Sequence, residues 1–247
     1  MVITSTASPE EIARFTAIAD EWWDDSGKFR PLHMLNPVRM EFVVGALCDH
    51  FGRDSTADSP LKGLKLLDVG CGGGLASEPL NRLGADVTAI DAGEETIAVA
   101  ATHARQSGLD INYRQCMPET LAAEGLSFDA VISLEVVEHV TDVNQFLDAL
   151  SALVTPEGCL IMGTINRTIK SLAFAKIAAE YILRWVPAGT HDWNKFVRPS
   201  ELANGLRPHG LDIKSIKGTV YNLANGDWRL GDDTAVNYLA YFSRQQH

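Results

Sequence analysis

Short apolar runs alternate with helical patterns through the middle of the chain, from Leu64 onwards. A short apolar run between turn residues is typical of a buried strand, whereas apolar residues three and four positions apart are typical of a helix. Regular alternation of the two predicts a parallel sheet with helices on both faces. The predicted strands are LKLLDV, ADVTAID, INYRQC, FDAVISL and CLIMGTI, and the predicted helices lie near 74–83, 94–107, 118–124 and 142–153.

Helical segments precede this core. Ser8 and Glu11 predict a capping box around Pro9, a residue that suits the first position of a helix. A second helix is predicted from Pro37 to Phe51. The first helix carries an apolar stripe formed by Ile12, Phe15, Ile18, Ala19 and Trp22.

The whole chain, 1–247, is predicted to be one α/β domain with a mostly parallel, seven-stranded sheet. LDIKSIKGTVYN and VNYLAYFSR supply the last two strands as a terminal antiparallel pair. The predicted parts are an N-terminal helical cap (1–60), a core (61–166), a helical insertion after the fifth strand (167–206) and C-terminal strands (207–247).

Composition narrows the classes of function. A net charge of −11 disfavours nucleic acid as a partner, because phosphate backbones repel an acidic surface. The N-terminus has no secretory pattern and no stretch is long and apolar enough to span a bilayer, so we expect a cytoplasmic protein. Four scattered cysteines without a C-x-x-C pair argue against a zinc ribbon and suit a reducing compartment: Cys48, Cys71, Cys116 and Cys159.

The stretch LLDVGCGGGL joins the first core strand to a helix through a glycine-rich turn. Glycines at such a turn let a ligand approach the backbone, and the helix N-terminus favours a negative group. Gly70 and Gly72 fit the dinucleotide fingerprint G-x-G-x-x-G, but Leu75 stands where its third glycine belongs. No G-K-[ST] follows, which excludes a P-loop. Pro79 predicts that the following helix starts late or bends.

The second strand ends in Asp91, 21 positions after Gly70. An acid there lies at the carboxyl edge of the sheet and can accept hydrogen bonds from both ribose hydroxyls of a nucleoside. The motif D-x-G-x-G-x-G together with this acid resembles the S-adenosylmethionine-dependent methyltransferases, over about residues 64–165. The resemblance implies a Rossmann-like fold and a glycine loop against the methionine part of S-adenosylmethionine.

Three further segments extend this resemblance to most of the chain: WWDDSGKFRPLHMLNPVR, SLEVVEHV and AAEYILRWVPAGTHDWNKFVRPSEL. With the core, they closely resemble the ubiquinone-biosynthesis O-methyltransferase family, apart from Asp25, where proline is expected. The resemblance implies O-methylation of polyprenylated catechol and demethylubiquinol intermediates, and a place in a ubiquinone-biosynthesis complex. It also implies that S-adenosylmethionine contacts Arg39, Gly70, Asp91 and Leu134, with Gly72 in the same loop.

The acids and the histidine of SLEVVEHV are candidates for the chemistry. On a helix, Glu135, Glu138 and His139 would share one face and could bind a divalent cation, for which the resemblance suggests Mg²⁺. A cation would lower the pKa of a bound phenol. The alternative is that Glu138 and His139 act without a metal, with His139 as general base. His33 and His191 are further candidate bases, whereas Cys71 needs no nucleophilic role.

The segment 167–186 carries four basic residues and one acid, a local balance of +3. It predicts a basic amphipathic helix that docks on anionic lipid at the inner face of the membrane, where a polyprenyl substrate resides. Two alternatives stay open for the chain: methylation of another small phenol, with this segment as a lid, and a nucleoside-binding module without turnover. The residues behind the membrane interpretation are Arg167, Lys170, Lys176, Arg184, Tyr181 and Trp185.

Overall fold

A computed structural model describes residues 6–16, 19–27, 29–173, 193–222 and 226–244 of the chain. Most of the predicted membrane-docking helix and His191 lie outside these ranges.

The described part of the chain contains one eight-stranded sheet with the order β3-β2-β1-β4-β5-β8-β6-β7. The first five strands are mutually parallel, whereas β8 pairs antiparallel with both β5 and β6. The strands are β1 (Lys65–Val69), β2 (Asp86–Asp91), β3 (Asn112–Gln115), β4 (Phe128–Leu134), β5 (Val154–Ile165), β6 (Asp212–Asn222), β7 (Asp227–Gly231) and β8 (Asn237–Ser243).

The predicted mostly parallel α/β sheet is confirmed, with one strand more than the seven predicted. The additional strand is β7, which forms a hairpin with β6 at the edge of the sheet and pairs Tyr221 with Trp228. Its sequence, DWRLG, is short and largely polar, so it lacks the apolar run that marks the central strands.

Helices cover both faces of the sheet. The helix after the glycine loop begins at Ser77, which places Pro79 in its first turn, where a missing backbone N–H breaks no intrahelical bond. The late start predicted from this proline is therefore confirmed. The helices are α1 (Pro9–Thr16), α2 (Arg30–Phe51), α3 (Ser77–Arg82), α4 (Glu94–Gln106), α5 (Pro118–Ala123), α6 (Val143–Ala152), α7 (Ile169–Ser171) and α8 (Pro199–Leu206).

Helix α2 differs from its prediction because it begins at Arg30, seven positions before Pro37. Pro37 lies inside the helix and cannot donate the bond that would reach the carbonyl four residues earlier. Tertiary packing compensates, since Val43 and Leu47 of α2 are fully buried in the cluster that contains Leu66 of β1. The N-terminal part thus forms one layer of the domain.

Side chains of the central strands alternate between two apolar clusters, as expected for a sheet buried on both faces. Leu66 and Ile132 face the cluster that α2 and α3 cover. Leu67 and Val131 face the opposite cluster, which includes Phe146 of α6. The carboxyl ends of β1, β2 and β4 remain uncovered by this packing, and the candidate site lies there.

Candidate active site

The glycine loop is a backbone cradle that tolerates no side chain at its key positions. Gly70, Gly72 and Gly74 have φ of +72°, +53° and +91°, in the left-handed region that favours glycine. A Cβ on Gly72 would lie 2.5 Å from the ring of Trp22, and one on Gly70 would lie 2.3 Å from Val136. The loop therefore requires glycine both for its conformation and for its close neighbours.

Two tryptophans of the N-terminal part cover this loop. The ring of Trp22 stacks on Phe29, with ring centres 4.0 Å apart, and is buried against Gly72 and Gly73. The indole of Trp23 donates a hydrogen bond to the Gly73 carbonyl across 3.0 Å. The two tryptophans of the WWDD segment, which carries part of the family resemblance, therefore cover the glycine loop.

Two acids flank the loop. Asp91 at the end of β2 accepts hydrogen bonds from the backbone N–H groups of Gly72 (3.1 Å) and Gly93 (2.9 Å), while burial raises its pKa. Asp68 is buried and accepts a hydrogen bond from the Ser77 hydroxyl at 2.5 Å, and burial raises its pKa to about 6. Asp91 therefore both closes the loop and faces the cavity beside it.

The segment after β4 corrects one prediction. Glu135 has a φ of +59° and ends the strand, and only the short 3-10 turn Val137–His139 follows. Glu135, Glu138 and His139 therefore do not share a face of an α-helix. Each side chain contacts a different residue: Glu135 pairs with Arg39 at 2.9 Å, Glu138 accepts from the Thr164 hydroxyl at 2.9 Å, and His139 Nδ1 lies 3.2 Å from Glu11.

As a result, the predicted magnesium ligand set is not formed in this arrangement. In the part of the chain that the structure describes, no three His, Cys, Asp or Glu side chains are grouped so that they could hold a metal ion. Glu138 is 4% exposed, and burial, with the nearby Glu135 charge as a second cause, raises its pKa to about 8. Burial therefore favours the protonated form of this carboxyl.

A cavity of about 500 Å³ lies at this edge of the sheet and brings the predicted residues together. Its lining includes the glycine loop and Asp91 and is otherwise largely apolar. Of the two further candidate bases, His33 is not among its wall residues, and His191 lies outside the described residues. Eight other residues predicted for the cofactor, catalysis or a metal line it: Arg39, Gly70, Gly72, Asp91, Leu134, Glu135, Glu138 and His139.

Other wall residues were missed in the sequence. Met117 follows β3, and its place at the carboxyl edge of a third parallel strand is a signal that sequence reasoning could have used. Glu11, Trp22, Phe29 and Leu32 come from the N-terminal part, and only the tertiary fold brings them to the cavity.

The surroundings of His33 and Cys71 argue against a role for either residue in the chemistry. His33 donates from Nε2 to the Trp22 carbonyl across 2.8 Å, which connects α2 to the segment that covers the glycine loop. Because this nitrogen already carries a hydrogen, it cannot act as a base. Burial raises the pKa of the Cys71 thiol well above its ordinary value, so it is a neutral wall residue.

The start of the insertion shows how its charges pair. Arg167 forms an ion pair with Glu201, and Lys170 forms one with Asp233. Ile169, between them, is 84% exposed. Among the described helices, none has the length and apolar character needed to cross a bilayer.

Comparison with known proteins identifies the family of the core domain and proteins with the same fold. The family described as Methyltransferase domain matches residues 67–162. Magnesium protoporphyrin IX methyltransferase from Synechocystis PCC 6803 with bound SAH superposes with a TM-score of 0.63 at 18% identity, covering 93% of this chain and 99% of that chain. The [4+2]-cyclase SpnF has the same fold, with a TM-score of 0.56 at 16% identity over 83% of this chain and 81% of that chain. The fold by itself therefore does not fix the reaction.

Curated relatives are much closer in sequence. The ubiquinone biosynthesis O-methyltransferase of Paramagnetospirillum magneticum is 52% identical over 96% of this chain and 94% of that protein. The mitochondrial ubiquinone biosynthesis O-methyltransferase of Arabidopsis thaliana is 46% identical over 98% of this chain and 76% of that protein. Because identity at this level extends over nearly the entire chain, the protein belongs to the ubiquinone biosynthesis O-methyltransferase family.

Proposed function

We propose that this enzyme transfers the methyl group of S-adenosylmethionine to phenolic hydroxyls of polyprenylated catechol and demethylubiquinol intermediates of ubiquinone synthesis. The observation that carries the proposal is one cavity whose wall contains the glycine loop, Asp91 and His139 together with mainly apolar side chains. The names of the curated relatives support the same acceptor.

The residues of the cradle fit S-adenosylmethionine. Gly70 and Gly72 give the bare backbone, Asp91 offers a carboxylate for the ribose hydroxyls, and Leu134 packs beside them at the end of β4. The Arg39 guanidinium can pair with the carboxylate of the methionine part. When bound, S-adenosylmethionine supplies an electrophilic methyl group on a sulfonium.

The phenol needs a base, because a free phenol releases its proton only near pH ~10. We assign this role to His139, which lines the cavity and whose Nδ1 faces Glu11. With Nδ1 donating to that carboxylate, Nε2 is the nitrogen that accepts the phenolic proton. Glu138 is buried beside His139 in the chain, and burial raises the pKa of its carboxyl, which favours the neutral form.

The sequence resemblance also suggests Mg²⁺ as a cofactor, but the mechanism proposed here does not use a divalent cation. Its ligation by Glu135, Glu138 and His139 requires these side chains to leave Arg39, Thr164 and Glu11. Cofactor binding should be the same with and without EDTA, because the cradle contains no such ligand set. Turnover that depends on Mg²⁺ in the wild type, and loses this dependence in E138Q, would show that the side chains rearrange into a metal site.

Docking on anionic lipid by the segment 167–186 completes the proposal, since a polyprenyl chain resides in the bilayer. The exposed Ile169 supports it, while the ion pairs of Arg167 and Lys170 leave less free positive charge than the sequence indicates. The protein should sediment together with anionic vesicles, and a variant with Lys170, Lys176 and Arg184 all changed to Glu should stay in the supernatant. K62E, in the exposed linker before β1, is the control. If both variants sediment with the vesicles to the same extent, docking by this segment is wrong. Association with other enzymes of the pathway stays a prediction.

Methyl transfer to a short-chain polyprenylated catechol and to unprenylated catechol, followed by mass spectrometry, tests the function. We expect methylation of both, with kcat/KM at least about tenfold higher for the prenylated compound, because the apolar side chains of the cavity wall would contact the added chain. Equal kcat/KM values would favour the small-phenol alternative. Binding of S-adenosylmethionine without methylation of either would favour a module without turnover.

A further inference from the structure

The two tryptophans that cover the glycine loop are held in place by a side chain of α4. The ring of Trp23 stacks on the imidazole of His103, with ring centres 3.5 Å apart and an angle of 7° between the planes. The same indole donates a hydrogen bond to the Gly73 carbonyl across 3.0 Å. One ring therefore joins α4 to the glycine loop. Because Trp22 is the next residue in the chain, this contact also fixes the ring that lies against Gly72 and Gly73.

A buried carboxylate holds the imidazole of His103. Its Nδ1 lies 2.6 Å from one oxygen of Glu78, and the other oxygen of Glu78 lies 3.3 Å from the Arg82 guanidinium. Glu78 is in the first turn of α3, the helix into which the glycine loop leads, and its side chain is 3% exposed. A carboxylate that accepts the Nδ1 hydrogen sets the orientation of the ring. It thereby sets the plane on which Trp23 stacks.

This group of side chains lies outside the cavity. Trp22 lines the cavity, but Trp23, His103 and Glu78 are not among its wall residues. They can therefore affect a bound cofactor only through Trp22 and the glycine loop. A glutamate as buried as Glu78 is rare unless it is paired. Its pairing with His103 thus indicates that the contact has a specific role, which neither the cavity wall nor the proposed chemistry accounts for.

We propose that His103 is a positioning residue for the cofactor site. Its ring holds Trp23 on the glycine loop and so keeps the neighbouring Trp22 in the wall of the cavity. Glu78 keeps the imidazole in the orientation that stacking requires. When the contact with His103 is lost, the cofactor should leave faster, because Trp22 forms part of the wall around it. The inference rests on the proposed binding of S-adenosylmethionine at the glycine loop, and it is independent of the acceptor and of the base.

Variants of the ring test the proposal through cofactor binding. H103A removes the imidazole, and H103F restores a ring that can stack on Trp23 but cannot bond to Glu78. H209A is the matched control, because His209 is 32% exposed against 31% for His103 and also pairs with a carboxylate, that of Asp148. We expect H103A to raise the Kd and the dissociation rate of S-adenosylmethionine roughly 3–10-fold, as the loss of one aromatic pair implies. H103F should recover part of the affinity, and H209A should bind as the wild type does.

A measurement without cofactor separates this inference from the proposed cofactor site. The indole N–H of Trp23 gives an NMR signal, which W23F assigns because phenylalanine lacks this group. Its hydrogen exchange with solvent should be faster in H103A than in the wild type and H209A, and slower again in H103F. Faster exchange in H103A supports the role of His103 even when the wild type binds no S-adenosylmethionine, a failure that would reject the cofactor site instead. Equal exchange rates, or a Kd for H103A within twofold of that of H209A, would overturn the positioning role.

Discussion

The Arg39 guanidinium lies 2.9 Å from the Glu135 carboxylate at the wall of the cavity. Arg39 comes from α2 in the N-terminal part, and Glu135 directly follows β4 with a left-handed backbone. The pair holds the buried Arg39 at the cavity wall, where we propose that a cofactor carboxylate takes the place of Glu135.

Removal of Arg39 should weaken cofactor binding. R39A should raise the Kd for S-adenosylmethionine by roughly 10–100-fold, because hydrogen bonds to charged groups contribute about 1.5–3 kcal/mol. Isothermal titration calorimetry measures this effect. R30A, at the exposed start of the same helix, is the matched control and should bind as the wild type does. A Kd for R39A within twofold of that of R30A would contradict the role of Arg39.

Removal of the Asp91 charge should also weaken the binding of S-adenosylmethionine, for a different reason. In D91N, an amide NH₂ replaces one of the oxygens that accept from the Gly72 and Gly93 backbone, and the negative charge that we propose for binding the ribose hydroxyls is lost. We expect the Kd for S-adenosylmethionine to rise at least about tenfold. D86N, at the exposed start of the same strand, is the control. Unchanged binding by D91N, measured by the same calorimetry, would remove Asp91 from the cofactor site.

The glycine loop can be tested against a glycine elsewhere in the chain. Gly72 and Gly108 both have positive φ, +53° and +70°, but a Cβ on Gly108 meets nothing within 4 Å, whereas one on Gly72 meets Trp22 at 2.5 Å. G108A should lower the free energy of unfolding by about 1–2 kcal/mol, the conformational penalty alone. G72A should lower it further, because the Trp22 ring must move. Urea denaturation compares the two variants, and equal losses would show that Trp22 yields without cost.

Stability should depend on pH through Glu138. Burial raises the pKa of this carboxyl to about 8, so at pH 6.5–8 the folded chain keeps a proton that the unfolded chain has released. The free energy of unfolding therefore falls as pH rises through this window. Asp68, with a pKa of about 6, has the same sign but contributes mainly at lower pH.

E138Q isolates this contribution, because Gln is neutral at every pH and still accepts a hydrogen bond from the Thr164 hydroxyl. Urea denaturation at pH 6.5, 7.0, 7.5 and 8.0 should give a shallower fall of the free energy of unfolding for E138Q than for the wild type. D68N should keep the slope of the wild type in this range. Identical slopes for E138Q and the wild type would show that Glu138 is ionised throughout.

Local patterns sufficed for the parallel core and the cofactor loop. Strands β1, β2, β4 and β5 are apolar runs buried on both faces, and such runs are visible without knowledge of their neighbours. The short, largely polar β7 was missed because its stability comes from pairing with β6. The start of α2 was placed at Pro37 because local rules weigh a proline heavily, whereas burial of Val43 and Leu47 outweighs it.

The sequence by itself determined the fold class, the glycine loop and the acid at the end of β2, because each depends on residues close together in the chain. Only the tertiary structure decided how the site is assembled. Trp22 covers Gly72, Arg39 pairs with Glu135, and Glu11 reaches His139. The backbone after β4 also turns into the left-handed region, so the three expected metal ligands point to three different partners. Such contacts join segments tens of residues or more apart, and they arise from packing that no local pattern encodes.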